Sequence, residues 1–390
     1  IAFESFAQIR IRNILEAGAA SLPAGQLGAV EVLFMDGKPP RVRAMVLSAE
    51  PDRELSARLD EEIERLASIA LPENGRRSSL IVHPRADLST PGLAPTTQVT
   101  INVLKPGERT QAFRHNATEV NFCIRGEGVA FIGGRRIPFR QYDVYNTPAW
   151  VPYWRENTGT DLQVFLTYTN VGMLQFMQVH HWEANPSLVE AVPEDEEAIN
   201  PRRNSPYGTF EIGDDGAMLM PYEKLINPPT VESNALHWPW ERVEAELKKL
   251  QDLGQDYVGR RLYLLYNPVT GRTNGTTPNF FATITIRPPK IVDRPHRHVS
   301  DSINYYFKGS GRSTVAGNVY EWKAGDLMLS APGWAVHNHA SYDDYVYELT
   351  IQNQPLTIAT ECLLWQENLK EPPALLGAQM GFDTNRKSAA

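Results

Sequence analysis

The sequence predicts an all-β chain built from two copies of one barrel, with additional helices outside them. Three observations carry that expectation. From about Thr96 the chain breaks into short apolar runs punctuated by Gly, Pro and Asp, such as QVTINVLKPGE and VNFCIRGEGVAFIGGRRIPF, the texture of antiparallel strands joined by tight turns. After a long polar interruption the same texture returns. The two stretches also align with each other: FRHNATEVNFCIRGEG matches HRHVSDSINYYFKGSG at an offset of 183 residues, which puts His115 on His298. The same offset pairs Gly126 with Gly309, Gly134 with Gly317 and Asp143 with Asp326, and a later one-residue insertion pairs Trp150 with Trp334. So many coincidences at one spacing mark a duplicated unit.

The elements follow in order. A chain of 390 residues exceeds what one hydrophobic core usually serves, so two domains are expected. Residues 1–95 form an N-terminal extension whose segment ELSARLDEEIERLASIAL, Glu54 to Leu71, alternates apolar and charged residues at helical spacing. The first barrel spans 96–182. Residues 183–255 combine a Pro-, Asp-, Glu- and Asn-rich connection, Glu183 to Asn234, with a helix from Trp240 to Gly254 that ends on a glycine suited to a cap. The second barrel spans 256–356, and 357–390 form a C-terminal extension.

Composition narrows the function classes. A net charge of -8 disfavours binding to nucleic acid or to an anionic membrane, which relies on Lys and Arg neutralising phosphates. Mean hydropathy is -0.36, and no apolar run approaches the roughly 18–20 residues that cross a bilayer. The charged positions in IAFESFAQIRIRNILEAG leave no signal-peptide core in the visible chain. Cys123 and Cys362 form no CxxC pair and read as buried small hydrophobes in a reducing compartment. A cytoplasmic protein with a small-molecule partner is the expectation.

The second copy carries the chemistry. His296 and His298 stand two apart in a strand pattern, which turns both imidazoles to one face, and His337 follows in SAPGWAVHNHAS after two strand pairs that return the chain to its start. Three neutral imidazoles suit Fe, Zn, Cu or Ni and leave coordination positions open for substrate. In the first copy the corresponding positions hold Phe113, His115 and Tyr153, so one histidine survives and that barrel reads as structural or interfacial. His180 and His181 are adjacent, point to opposite faces of a strand and make poor joint ligands; with His83 and His237 they read as structural.

These residues resemble the cupin superfamily: FKGSG matches the glycine turn of its first motif, and Gly325, Asp326, Pro332 and His337 match its second. Where many cupins supply a glutamate, four residues after the second histidine, this chain has Ser302. The closer resemblance is to the gentisate, salicylate and 1-hydroxy-2-naphthoate dioxygenases, carried by NPVTG at Asn267, PHRH at Pro295, KGSGR at Lys308 and PGWAVHNH at Pro332. It covers roughly Thr96 to Pro355 and is sharp only in the second copy. It implies a bicupin, two double-stranded β-helix barrels, commonly tetrameric, that opens an aromatic ring with Fe(II) and O2 in an extradiol-type reaction. In that family the metal site is usually in the N-terminal barrel, the reverse of the pattern here.

The resemblance also implies roles. His339 falls on a position that hydrogen-bonds substrate, a catalytic assignment. Asn304 stands where the family commonly grips a substrate carboxylate with arginine, and it cannot make that charged bidentate contact. Either Arg260, Arg261, Arg272 or Arg294 replaces it, with Arg272 assigned to substrate, or the substrate lacks a carboxylate, as a hydroquinone does. Trp334 either walls the pocket or fills the core. Competing functions are a cupin isomerase or lyase using Zn or Mn on a sugar or keto acid, and a non-catalytic ligand-binding bicupin.

Overall fold

The computed structural model describes residues 30–32, 41–46, 55–83, 92–187, 208–212, 214–222, 233–251 and 261–376. The chain divides into two compact units, Ile1–Pro186 with Ala235–Ala390, and Ser187–Asn234. The smaller unit contains an antiparallel pair, Phe210–Glu211 with Met218–Leu219. Both barrels lie in the larger unit.

In the first barrel, strands Gln98–Leu104, Gln163–Thr169, Glu119–Arg125 and Val144–Thr147 lie side by side in one sheet, faced by a five-stranded sheet that includes Phe113–His115, Tyr153–Glu156 and Gly128–Ile132. The N-terminal strands Val30–Val32, Arg41–Val46 and Arg77–Val82 extend the first sheet, so part of the expected extension belongs to the barrel. The expected helices run over Leu55–Ser68 and Trp240–Lys249. The proposed cap at Gly254 lies outside the described residues.

The second barrel repeats this plan with Phe281–Arg287, Val346–Gln352, Ser302–Lys308 and Leu327–Ala331 in one sheet, and Ser310–Val315 between Asn318–Lys323 and His337–Ser341 in another. Matched turns show why the repeat keeps its small residues. Gly126 and Gly309 have φ of +80° and +79°, and a Cβ there would come within 2.3 Å of the Leu162 carbonyl and 2.6 Å of the Tyr345 carbonyl. Asp143 and Asp326 each accept the backbone N–H three residues back, from Arg140 at 3.0 Å and Lys323 at 2.7 Å. The one-residue insertion is a β-bulge: Ser302 pairs with Ala331 and Ile303 with Leu329, leaving Ser330 extra, whereas Glu119 and Val120 pair with the consecutive Thr147 and Asn146.

The repeat runs further than its sharpest motifs. Helix Val171–Phe176 recurs as Gln354–Ala359, and strand Trp182–Ala184, paired with Phe113–His115, recurs as Leu364–Gln366, paired with Arg297–His298. The expected boundaries therefore cut each copy short, at 183 within strand Trp182–Ala184 and at 357 within helix Gln354–Ala359. Cys362, expected to be buried, is exposed; Cys123 is buried.

Alternation along the strands gives each barrel an inward face of mixed polar and apolar side chains, such as Asn121 beside Cys123, Phe139 and Phe165 in the first, and an apolar outer face. Asn121 and Cys123, like Ser302, Asn304 and Tyr306, point inward, whereas Val120 and Phe122, like Ile303, Tyr305 and Phe307, join one continuous core shared by both barrels. Phe122 packs 5.4 Å from Phe307 and 5.8 Å from Tyr305, ring centre to ring centre. Polar contacts add to this: the Thr96 and Thr97 hydroxyls donate to Asp301 Oδ2 at 2.9 and 2.8 Å.

Candidate metal centre

His296, His298 and His337 are brought together as expected. His296 forms a backbone bridge with His337, His298 follows in the next strand, and one ligand nitrogen of each lies within 4.8 Å of the others. All three are buried. The Nδ1 atoms donate to backbone carbonyls: His296 to Arg294 at 2.9 Å, His298 to Ser300 at 2.9 Å, and His337 to Ala335 at 3.0 Å. A carbonyl only accepts, so each ring carries its hydrogen on Nδ1 and keeps the Nε2 lone pair for a ligand bond. This donor set, three buried imidazoles each anchored through Nδ1, fits a divalent transition metal.

Trp365, which the sequence reading left inside a C-terminal extension, stacks on His296 and His298 at 5.5 and 4.7 Å between centroids. Its indole N–H donates to Glu367 at 2.9 Å. The signal was in the repeat, where WEAN at Trp182 falls on WQEN at Trp365. A cavity of about 270 Å³ opens beside His296, lined by Asp293, Arg294, Phe281, Gln352, Trp365 and Glu367 among others.

The other expected site residues are placed differently. His339 is buried within the barrel, 5.9 Å from His337 ring to ring, with Nδ1 on Ser313 Oγ at 2.7 Å. Asn304 is fully buried with its amide engaged: Nδ2 donates to Thr350 Oγ1 at 3.1 Å and Oδ1 accepts from Ser330 at 2.5 Å. Trp334 does not line the cavity; it stacks on the Arg297 guanidinium at 4.5 Å, as Trp150 stacks on Arg114 at 4.7 Å in the first barrel. A contact kept in both copies belongs to barrel construction; Trp334 is half-buried and joins none of the apolar clusters of the described residues, so the packing supports neither the pocket nor the core reading. Arg272 is likewise not at the cavity, being 59% exposed and 3.9 Å from Glu361. Among the alternatives Arg261 is buried on the strand Arg261–Leu264, Arg260 lies outside the described residues, and Arg294 lines the cavity. The interior also holds Arg287, unremarked in sequence, fully buried between Asp293 at 2.9 Å and Glu348 at 3.1 Å.

The first barrel holds different side chains at the matching positions. Phe113 pairs with Tyr153 as His296 pairs with His337. Glu119 accepts from the Tyr153 hydroxyl at 2.8 Å and lies 3.1 Å from His115 Nε2, with Arg155 at 3.7 Å. Burial pushes the Glu119 carboxyl up, but the hydrogen bond and charge of His115, the Arg155 charge and the Tyr153 hydroxyl hold it well below the usual carboxylate range.

Comparison with known proteins agrees with this architecture. The family described as cupin domain matches residues 101–168, within the first barrel. The chain is 24% identical over 304 residues to the 5-aminosalicylate 1,2-dioxygenase of a Comamonas species, covering 75% of each protein. It is 28% identical over 277 residues to the 1-hydroxy-2-naphthoate 1,2-dioxygenase of a Nocardioides species, covering 69% of this chain and 66% of that one. The crystal structure of salicylate 1,2-dioxygenase from Pseudaminobacter salicylatoxidans superposes with a TM-score of 0.62 at 20% identity over 80% of this chain and 86% of that one, a likeness of fold. The chain thus resembles 1,2-dioxygenases in sequence and shares the two-barrel fold of one of them, with a buried three-histidine cluster in its second barrel.

Proposed function

We propose that the protein uses Fe(II), held by His296, His298 and His337 in the second barrel, to open the ring of a gentisate-, salicylate- or hydroquinone-like aromatic compound with O2. The observation that carries this reading is the trio of buried imidazoles with Nδ1 committed to carbonyls and their ligand nitrogens within 4.8 Å. Bound there, the metal supplies electron transfer between an electron-rich ring and oxygen, with both oxygen atoms ending in the opened acid. The relatives' names, 1,2-dioxygenases of aminosalicylate, hydroxynaphthoate and gentisate, support ring cleavage next to a hydroxylated carbon.

The chain's own part is to seat and orient the ring. Phe281 and Trp365 give the cavity beside His296 aromatic walls, and Gln352 adds a neutral polar group. The interior cation Arg287 is matched by two carboxylates and offers no net positive charge to an anionic substrate. Gripping a substrate carboxylate therefore falls to Arg294 at the cavity, and a carboxylate-free hydroquinone needs no such grip.

The test is oxygen uptake by protein reconstituted anaerobically with Fe(II), offered gentisate, salicylate, 1-hydroxy-2-naphthoate and hydroquinones, beside His296→Ala. Uptake with a new ultraviolet-absorbing product, absent in the variant, is the expected result. Iron-loaded protein that consumes no oxygen with any of them overturns the proposal.

A further inference from the structure

A buried group of three charges stands beside the cavity. Arg287 donates to Asp293 Oδ2 at 2.9 Å and to Glu348 Oε2 at 3.1 Å, and all three side chains are buried. One guanidinium between two carboxylates leaves the triad with one negative charge in excess. Asp293 lines the cavity together with His296, and its backbone N–H, donating to the His339 carbonyl at 2.8 Å, ties it to the strand His337–Ser341. Among the described residues, the other charged side chains at the cavity are Arg294, exposed, and Glu367, half-buried, one of each sign. Arg261 does not join them: Leu262 and Leu264 line the cavity, so alternation turns Arg261 to the opposite face of their strand.

The duplicated barrel is an internal control. At the triad positions the first copy has Leu104, Thr110 and Phe165, and the strands keep their register, Asn102 pairing with Phe165 as Thr285 pairs with Glu348. The barrel therefore packs without these charges, and an unmatched buried carboxylate costs desolvation that the first copy avoids. Imidazole ligands bring no negative charge, so a divalent ion on the three histidines and the surplus carboxylate together leave one positive charge. A single phenolate oxygen balances it. A phenolate with a carboxylate overshoots it and buries an unpaired charge. We propose that the Arg287–Asp293–Glu348 triad sets the substrate class of this site, admitting a hydroquinone-type ring that offers one negative oxygen and rejecting rings that bring a carboxylate as well. This rests on the ring-cleavage reading above and narrows it.

Hydroquinone and gentisate differ by one carboxylate, and isothermal titration of Zn(II)-loaded protein with each, without oxygen, reads binding apart from turnover. Wild type is expected to bind hydroquinone at least about tenfold more tightly, the scale of a like-charge contact in a buried site. Glu348→Gln, which keeps an acceptor for Arg287, and Asp293→Asn, which acts on the cavity side, each make the triad neutral. Either raises gentisate affinity about tenfold and leaves hydroquinone binding unchanged, with folding checked by circular dichroism. Gentisate bound by wild type as tightly as hydroquinone, binding of neither ring, or an unchanged ratio in whichever variant folds overturns the proposal. The wild-type comparison decides by itself if neither variant folds. Oxygen uptake by the Fe(II) protein separates the two claims. Hydroquinone bound with no oxygen consumed sinks ring cleavage and leaves the selectivity of the site standing, whereas uptake with gentisate alone keeps ring cleavage and overturns the selectivity.

Discussion

Glu119 and Ser302 occupy the same place in the two copies, and the exchange between them decides what each barrel interior holds. In the first barrel Glu119 takes the hydrogen bonds of His115 and Tyr153, so a side-chain carboxylate satisfies the one histidine left there. In the second, Ser302 is a small neutral group at that place, beside three imidazoles clustered so that they could hold a metal. The difference predicts a pH signature. A carboxyl whose pKa is depressed on folding contributes stability fully above its unfolded value, near 4.5, and loses it as pH falls through and below that value. Urea unfolding of wild type and Glu119→Gln should therefore show wild type ahead at pH 6, with the gap closing as the pH drops below 4.5. A gap that widens in acid contradicts the assignment. At this scale the sequence was informative about the histidine cluster, because HxH in a strand pattern and a distant histidine fall together in the second barrel. It was silent about Arg287 and Ser313, whose roles depend on partners tens of residues away.

The last strand of each copy shows where element-level reading stopped short. Leu364–Gln366 is only three residues long and follows a loop, so it has no periodicity to detect, yet it lays Trp365 over two of the three histidines. The first copy does the same with Trp182 on Phe113, at 5.6 Å, where there is no second histidine to serve. The stack is thus part of barrel construction that the second copy turns to the support of its imidazoles. Trp365→Ala should weaken metal binding about tenfold to hundredfold, the usual scale for losing a group that orients ligands, while Trp365→Phe keeps most of it. Competition against a chelator measures both, and equal affinity in wild type and Trp365→Ala would remove Trp365 from the site. Trp334 illustrates the opposite error: its place in PGWAVH suggested the pocket, but its stack on Arg297 is matched by Trp150 on Arg114 in the copy that lacks the trio.

Across the whole molecule, one copy of the duplicated barrel carries the histidine cluster and the other fills the matching place with Phe113, His115 and Tyr153. The two share one apolar core through Phe122, Tyr305 and Phe307, so the first barrel supports the second even though its own site is filled by side chains. The two-barrel plan was legible because glycine turns and aspartate caps recur at one offset. The domain limits were not, because short strands and a one-turn helix carry too few residues to announce themselves. The central claim is that a single metal sits in the second barrel. It is tested most directly by metal content per folded chain after anaerobic Fe(II) loading of wild type, His115→Ala and His298→Ala. The account predicts about one ion in wild type and in His115→Ala, and almost none in His298→Ala, as expected when a site of three ligands loses one. An ion retained by folded His298→Ala, or lost from folded His115→Ala, would contradict it.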